Sequence, residues 1–248
     1  MPTNNSLNTI YSSAFYPCLN GCKYIPINFS NLASGNNDLY TVPSGKKAIC
    51  YQGIVYNANG SSRTIYPQIK ISSTYYQTDS SITLSTISTT SIQFLPYVFL
   101  SGEIIAINTT GVGVNLWLTV FEFSDSVPIT RNLIANLSSG DNTIYTCPTG
   151  KMSYPFNLTE FVFDSSFGDL TNMFYRNGTG GSITFSRYFV KSGDTPNANN
   201  LLAVNTSAAS FTFGGAINNF SPGDAYIVNT NSASTPQIAW VNLIEVPI

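Results

Sequence analysis

The sequence predicts an all-β protein made of two tandem jelly-roll-like β-sandwich domains related by internal duplication, and three observations predict it. Charged residues make up only 9% of the 248 residues while aromatics make up 13%, against roughly 25% charged in an average soluble domain. That balance of β-branched and aromatic residues with Ser, Thr and Asn favours strands over surface helices. Short runs of alternating apolar and small polar residues are divided by Gly- and Asn-rich turns, the pattern of sandwich strands. Finally, three blocks of the first half return in the same order in the second.

The first block is "SGNNDLYTVPSGKKA" from Ser34, which returns as "SGDNTIYTCPTGKMS" from Ser139. Tyr40 matches Tyr145, and Pro43, Gly45 and Lys46 match Pro148, Gly150 and Lys151. The second, "FLSGEIIAINT" (99–109), aligns with "FSPGDAYIVNT" (220–230), pairing Gly102 with Gly223, Glu103 with Asp224 and Asn108 with Asn229. The third, "WLTVFEF" (117–123), aligns with "WVNLIEV" (240–246), pairing Trp117 with Trp240 and Glu122 with Glu245. Units of this size bury their own cores, and two copies are too few for a solenoid. The expected division is an N-terminal arm or added strand over 1–30, a first sandwich over 31–124, a linker stiffened by Pro128 over 125–136, and a second sandwich over 137–248.

In chain order, strands are expected at "KAICYQGIVYN", "TIYPQIKI", "SITLSTI", "SIQFLPYVFL", "EIIAIN" and "VNLWLTVFEF". Pro-Ser-Gly and Pro-Thr-Gly are expected to reverse the chain, with proline fixing φ at the second turn position and glycine accepting positive φ. The second unit carries longer polar insertions such as "KSGDTPNANN" (191–200), where loop recognition is expected. Trp117 and Trp240, mid-strand in apolar runs, are expected in the core, whereas Tyr75, Tyr76 and Tyr175 are the tyrosines expected to serve surface recognition.

Several chemistries are excluded by residue type. A net charge of −2 with ten scattered basic residues leaves no stripe to neutralise a nucleic-acid backbone. No run of about 18 apolar residues predicts a membrane span, and the amino terminus has neither the basic start nor the apolar centre of a signal peptide. Synthesis in a cytoplasm is therefore expected. The Gly-Lys pairs do not form a phosphate loop, because Gly45 has no glycine five residues earlier and Lys46 and Lys151 are followed by Lys47 and Met152. With no histidine in the chain, a nucleophilic triad lacks its base and a zinc site around Cys18 and Cys22 lacks ligands. "CLNGC" has two readings, a small disulfide-closed loop or half of a metal site, and for the second the chain has no histidine to complete the ligands. Cys50 and Cys147 read as small buried hydrophobes. The acids that recur, Glu103 with Asp224 and Glu122 with Glu245, stand at equivalent places and so are expected to serve the fold rather than glycoside cleavage. No catalytic, cofactor-binding or metal-binding residue is assigned, and no cofactor is expected.

The stretch "LYTVPSGKKAICYQGIVYNANGSSRTIYPQIKI", followed by "FLSGEIIAINTTGVGVNLWLTVFEF", resembles β-sandwich virion structural proteins of tailed bacteriophages and other double-stranded DNA viruses. In that class a "YT.P.GK" turn opens the sandwich and a "GD/GE…N…V…E" block closes it. The resemblance covers both units; the "CLNGC" segment and Cys147 depart from it. It implies a non-enzymatic part of a virion: a capsid decoration or minor capsid (cement) component, or part of a tail or fibre. Its partners would be other capsid or tail proteins, and it would form a homo-oligomer such as a trimer. The alternative is a receptor- or carbohydrate-binding module of a tail fibre or virion surface. Such a module would concentrate exposed aromatics in the 165–200 or 205–222 loops, whereas a structural role would leave its largest apolar patches on sheet edges or in the arm. The first sandwich is expected to dock on the particle and the second to face outward.

Overall fold

A computed structural model describes residues 22–50, 52–78, 81–94, 98–155, 173–177, 183–207, 211–213, 219–231 and 237–248. These residues form strands and turns without a helix. The chain divides between Val127 and Pro128 into two compact units, and the fold is all-β.

The first unit contains β1 (Lys23–Leu32), β2 (Gly35–Thr41), β3 (Lys46–Ile49), β4 (Gln52–Asn57), β5 (Arg63–Ile71), β6 (Thr74–Gln77), β7 (Ile82–Leu84), β8 (Ser88–Gln93), β9 (Val98–Phe99), β10 (Ile104–Thr109) and β11 (Val114–Ser124). One sheet has the order β8-β4-β11-β3-β9 with β1 also on β11, and the other β2-β10-β5-β6 with β7 also on β5. Period-2 alternation decides which side chains face inward: Leu116, Leu118 and Val120 of β11 and Ile65 and Ile69 of β5 are buried. Pro67 is tolerated mid-strand because its free edge faces the gap between β7 and β6. There its carbonyl takes the Thr78 N–H at 3.0 Å and no ladder N–H is required.

The second unit contains β12 (Ile129–Ala135), β13 (Gly140–Thr146), β14 (Lys151–Pro155), β15 (Met173–Asn177), β16 (Ile183–Val190), β17 (Leu201–Ser207), β18 (Phe211–Phe213), β19 (Ala225–Thr230) and β20 (Gln237–Pro247). Its sheets run β12-β20-β15-β18, with β14 also on β20, and β13-β19-β16-β17. One apolar cluster joins Tyr145, Tyr226 and Val228 of the second sheet to Ala239, Val241 and Leu243 of the first.

The matched blocks occupy matched places. β10 pairs Ile105 with Tyr40, skips a residue and pairs Ala106 with Asp38; β19 pairs Tyr226 with Tyr145, skips a residue and pairs Ile227 with Thr143. The glycines required by the turns agree in φ: Gly45 and Gly150 at 70° and 74°, and Gly102 and Gly223 at 81° and 83°. In both opening turns the proline carbonyl accepts the lysine N–H three residues on, at 3.2 Å. Pro43 and Pro148 therefore stand at the first turn position, not the second as expected, and Gly45 and Gly150 take the third, where a type II turn needs positive φ.

The unit boundaries differ from the expectation. Residues 125–136 are not a linker: after a short turn they form β12, which runs along β20 with Leu133 opposite Trp240. β1 runs along β11 in the same way, with Asn28 opposite Trp117. Asn31 and Asn136, with φ of 58° and 62°, stand at the C-terminal ends of these opening strands, Asn31 one residue before the last of β1 and Asn136 one residue after β12. The first strand of each unit thus begins before the expected boundary, at Lys23 rather than residue 31 and at Ile129 rather than residue 137. The signal was present in "NLASG" and "NLSSG", where the match extends upstream of the serine and glycine. Residues 1–21, with Cys18, lie outside the described residues.

Candidate functional site

The recurring polar residues hold turns and join sheets. In the first unit Tyr40 Oη donates to Glu122 Oε2 at 2.5 Å; in the second Tyr145 Oη donates to Glu245 Oε1 at 2.9 Å and also contacts Ser153 Oγ. Burial, reinforced by the carboxylate beside each, pushes both phenols above the ordinary tyrosine range. Lys151 adds an ion pair to Glu245 at 2.7 Å. Glu103 Oε2 accepts the Leu100 N–H at 2.8 Å. Asp224 accepts the N–H groups of Ser221 at 2.9 Å and Ser192 at 3.1 Å, and pairs with Lys191 at 2.7 Å. The Asn37 and Asn142 amides close equivalent loops onto Ala33 and Ser138. Each of the four recurring acids is thus held by hydrogen bonds within its own unit.

Cys50 is buried, and that burial pushes its thiol up. Cys147 is 1% exposed, with Sγ 3.3 Å from Ser153 Oγ. Among the described residues no group of three His, Cys, Asp or Glu side chains gathers as a metal site would require.

A different constellation appears on the outer face of the first unit's six-stranded sheet. Because Leu116, Leu118 and Val120 point into the core, the alternation turns Trp117, Thr119 and Phe121 outward. β1 lies alongside, with Asn28 opposite Trp117, Pro26 opposite Thr119 and Tyr24 opposite Phe121. On the other flank β4 places Ile54 against Trp117. Tyr24 is 62% exposed, Ile54 49%, Trp117 43% and Phe121 39%. Tyr24 and Phe121 meet edge to face at 5.6 Å, a favoured aromatic geometry, and Thr119 Oγ1 donates to Tyr24 Oη at 3.2 Å. Between these strands lies a groove of about 450 Å³ lined by Tyr24, Pro26, Asn28, Ile54, Trp117 and Thr119, with Gly53 and Leu118 beneath. No lining residue is charged.

The equivalent face of the second unit is closed. Trp240 takes the register position of Trp117, between β12 and β15, yet it is fully buried, as are Ile129 and Arg131 where β1 presents Tyr24 and Pro26. The expectation of two core tryptophans is thus corrected for Trp117. An apolar mid-strand run does not reveal what covers its outer face; the alternation around Leu116 and Leu118 was the available signal.

The other expected recognition residues are placed differently. Tyr76 is buried. Tyr75 donates to Asp38 at 2.7 Å, and Lys70 pairs with the same carboxylate at 2.7 Å. Burial opposes ionisation of Asp38, but these two hydrogen bonds and the Lys70 charge outweigh it and hold the carboxyl below its ordinary value. The Tyr175 side chain and residues 165–172, 178–182, 208–210 and 214–218 of the expected recognition loops lie outside the described residues. Loop 191–200 carries no aromatic and is closed on itself, with Asn197 and Asn200 both bonding to the Thr195 carbonyl.

No protein-family model and no curated protein matches the sequence. Solved structures resemble it in outline at low identity. The tandem CBM22-1–CBM22-2 domain of Paenibacillus barcinonensis Xyn10C is 9% identical over 92% of this chain and 91% of that one, with a TM-score of 0.29. A peptide-N(4)-(N-acetyl-β-D-glucosaminyl)asparagine amidase is 8% identical over 91% and 98%, with a TM-score of 0.36. The major capsid protein P2 of bacteriophage PM2 is 9% identical over 91% and 98%, with a TM-score of 0.31. At these scores none is a guide to what the chain does.

Proposed function

We propose that the chain is a non-enzymatic virion structural protein, a capsid decoration or minor capsid (cement) component, whose two tandem jelly-roll-like sandwiches arose by internal duplication. The observation that carries this reading is where the recurring residues lie. Tyr40 with Glu122, Tyr145 with Glu245, and the turn-holding Glu103 and Asp224 all work within the scaffold, so what the two units share is architecture. The sequence resemblance to virion β-sandwich proteins points the same way. On this reading the protein resides in the virion as a homo-oligomer among other capsid or tail proteins. It works without cofactor, nucleic acid or membrane. Cryo-electron microscopy of native particles tests it: symmetry-related density for this chain is expected, and its absence from purified particles overturns the assignment.

A second reading, a receptor- or carbohydrate-binding module on the virion surface, is favoured by the open Trp117 face. Among the described residues the exposed aromatics Tyr24, Trp117 and Phe121 lie on the sheet of the first unit, and on this reading that face carries the ligand.

A further inference from the structure

We propose that the groove between β1, β11 and β4 binds a neutral saccharide, with a sugar ring stacked on the exposed face of Trp117. This deepens the ligand-binding reading and stands apart from the particle assignment.

Four features of the groove select that chemistry. It has no charged lining residue, so an anionic or cationic ligand would lose its hydration without a countercharge. Its apolar surface comes mainly from rings and the Ile54 side chain, and an aromatic face suits the C–H face of a pyranose. Its polar groups are neutral: the Asn28 amide, opposite Trp117, supplies donors and an acceptor. The Tyr24 phenol, which already accepts from Thr119, has its own proton to donate. Its volume of about 450 Å³ falls within the roughly 300–1,000 Å³ of small-ligand clefts. A second copy of this chain fits less well, since an isologous contact places the same patch against itself and two concave faces leave a void between them. Trp240 sharpens the contrast: at the same register position in the second unit the ring is wholly buried, so at that position the platform is open in the first unit and closed in the second.

The experiment uses the full chain on an array of neutral and sialylated glycans, followed by calorimetric titration with the best neutral oligosaccharide for wild type, Trp117→Ala and Tyr24→Phe. Neutral glycans are expected to bind. Trp117→Ala should weaken binding at least about tenfold while leaving the unfolding midpoint within error, and Tyr24→Phe should weaken it less. The inference is overturned by binding of charged glycans alone, by an affinity unchanged in Trp117→Ala, or by no binding at millimolar concentration. Sedimentation supplies the remaining outcome: a wild-type oligomer that Trp117→Ala dissociates would make a second copy the occupant and overturn the saccharide. None of these results bears on whether the chain occupies a particle.

Discussion

Tyr40 donates to Glu122 at 2.5 Å and so joins β2 of one sheet to β11 of the other in the first unit. The same bond recurs in the second unit between Tyr145 and Glu245. Hydrogen bonds to charged groups contribute about 1.5–3 kcal/mol, and an acceptor left buried without its donor adds to the loss. Tyr40→Phe is therefore expected to lower stability by about 2 kcal/mol. Tyr145→Phe should cost less, because Lys151 continues to hold Glu245. Urea unfolding of the two variants checks this order.

Trp117 and Trp240 share a register position but not an environment. Trp240→Ala empties a fully buried site and is expected to cost about 3–5 kcal/mol. Trp117→Ala removes a ring that is 43% exposed and should shift stability by about 0.5 kcal/mol or less. Thermal unfolding distinguishes them, and equal losses would mean that the outer face of the first sheet is covered in solution.

The scaffold was legible in the sequence because turns and alternation are local. Gly45, Gly102 and their counterparts mark positive-φ turns that few other residues tolerate, and the recurring acids stood at the places where hydrogen bonds now hold them. What was not legible depends on long-range covering. The sequence does not show that the face bearing Trp117 is open while that bearing Trp240 is closed, nor that Arg187 turns inward. By register Arg187 stands where β5 has Pro67, since Arg187 pairs with Val228 as Pro67 pairs with Ile107. A residue ordinarily at the surface is 4% exposed there, hydrogen-bonded to the buried Tyr226. The start of each unit was missed for a different reason: β1 and β12 share few identical residues, and only Asn31-Leu32 and Asn136-Leu137 carry the match.

The opening turns predict a backbone effect free of packing. Gly45 and Gly150 have φ of 70° and 74°, and a Cβ added at either meets no atom within 4 Å. Alanine at either position therefore brings the left-handed backbone penalty alone, about 1–2 kcal/mol. The two variants should show similar losses in urea unfolding. A neutral result at one of them would mean that its turn relaxes to negative φ.

Alkaline pH should destabilise the fold. Burial holds the phenols of Tyr40, Tyr145, Tyr154 and Tyr226 above their ordinary value of 10.0, so above pH 10 the unfolded chain releases protons that the native chain keeps. Stability from these groups is complete below about pH 10 and is lost as the pH rises towards their native values. Arg187 acts in the opposite sense: burial lowers its guanidinium to about 10, below the ordinary arginine value. Between those values the unfolded chain holds a proton that the native chain sheds, and stability rises. Four tyrosines oppose one arginine, so the urea midpoint should fall as the pH rises above about 10. Tyr226→Phe should flatten that fall, and Arg187→Met should steepen it. Tyrosinate absorbance recorded on the native protein provides the independent check, since buried phenols titrate late in the fold and together once it opens. A midpoint that holds steady across this range, with tyrosinate appearing near pH 10 in the native state, would show that these hydroxyls ionise as freely in the fold as in the open chain.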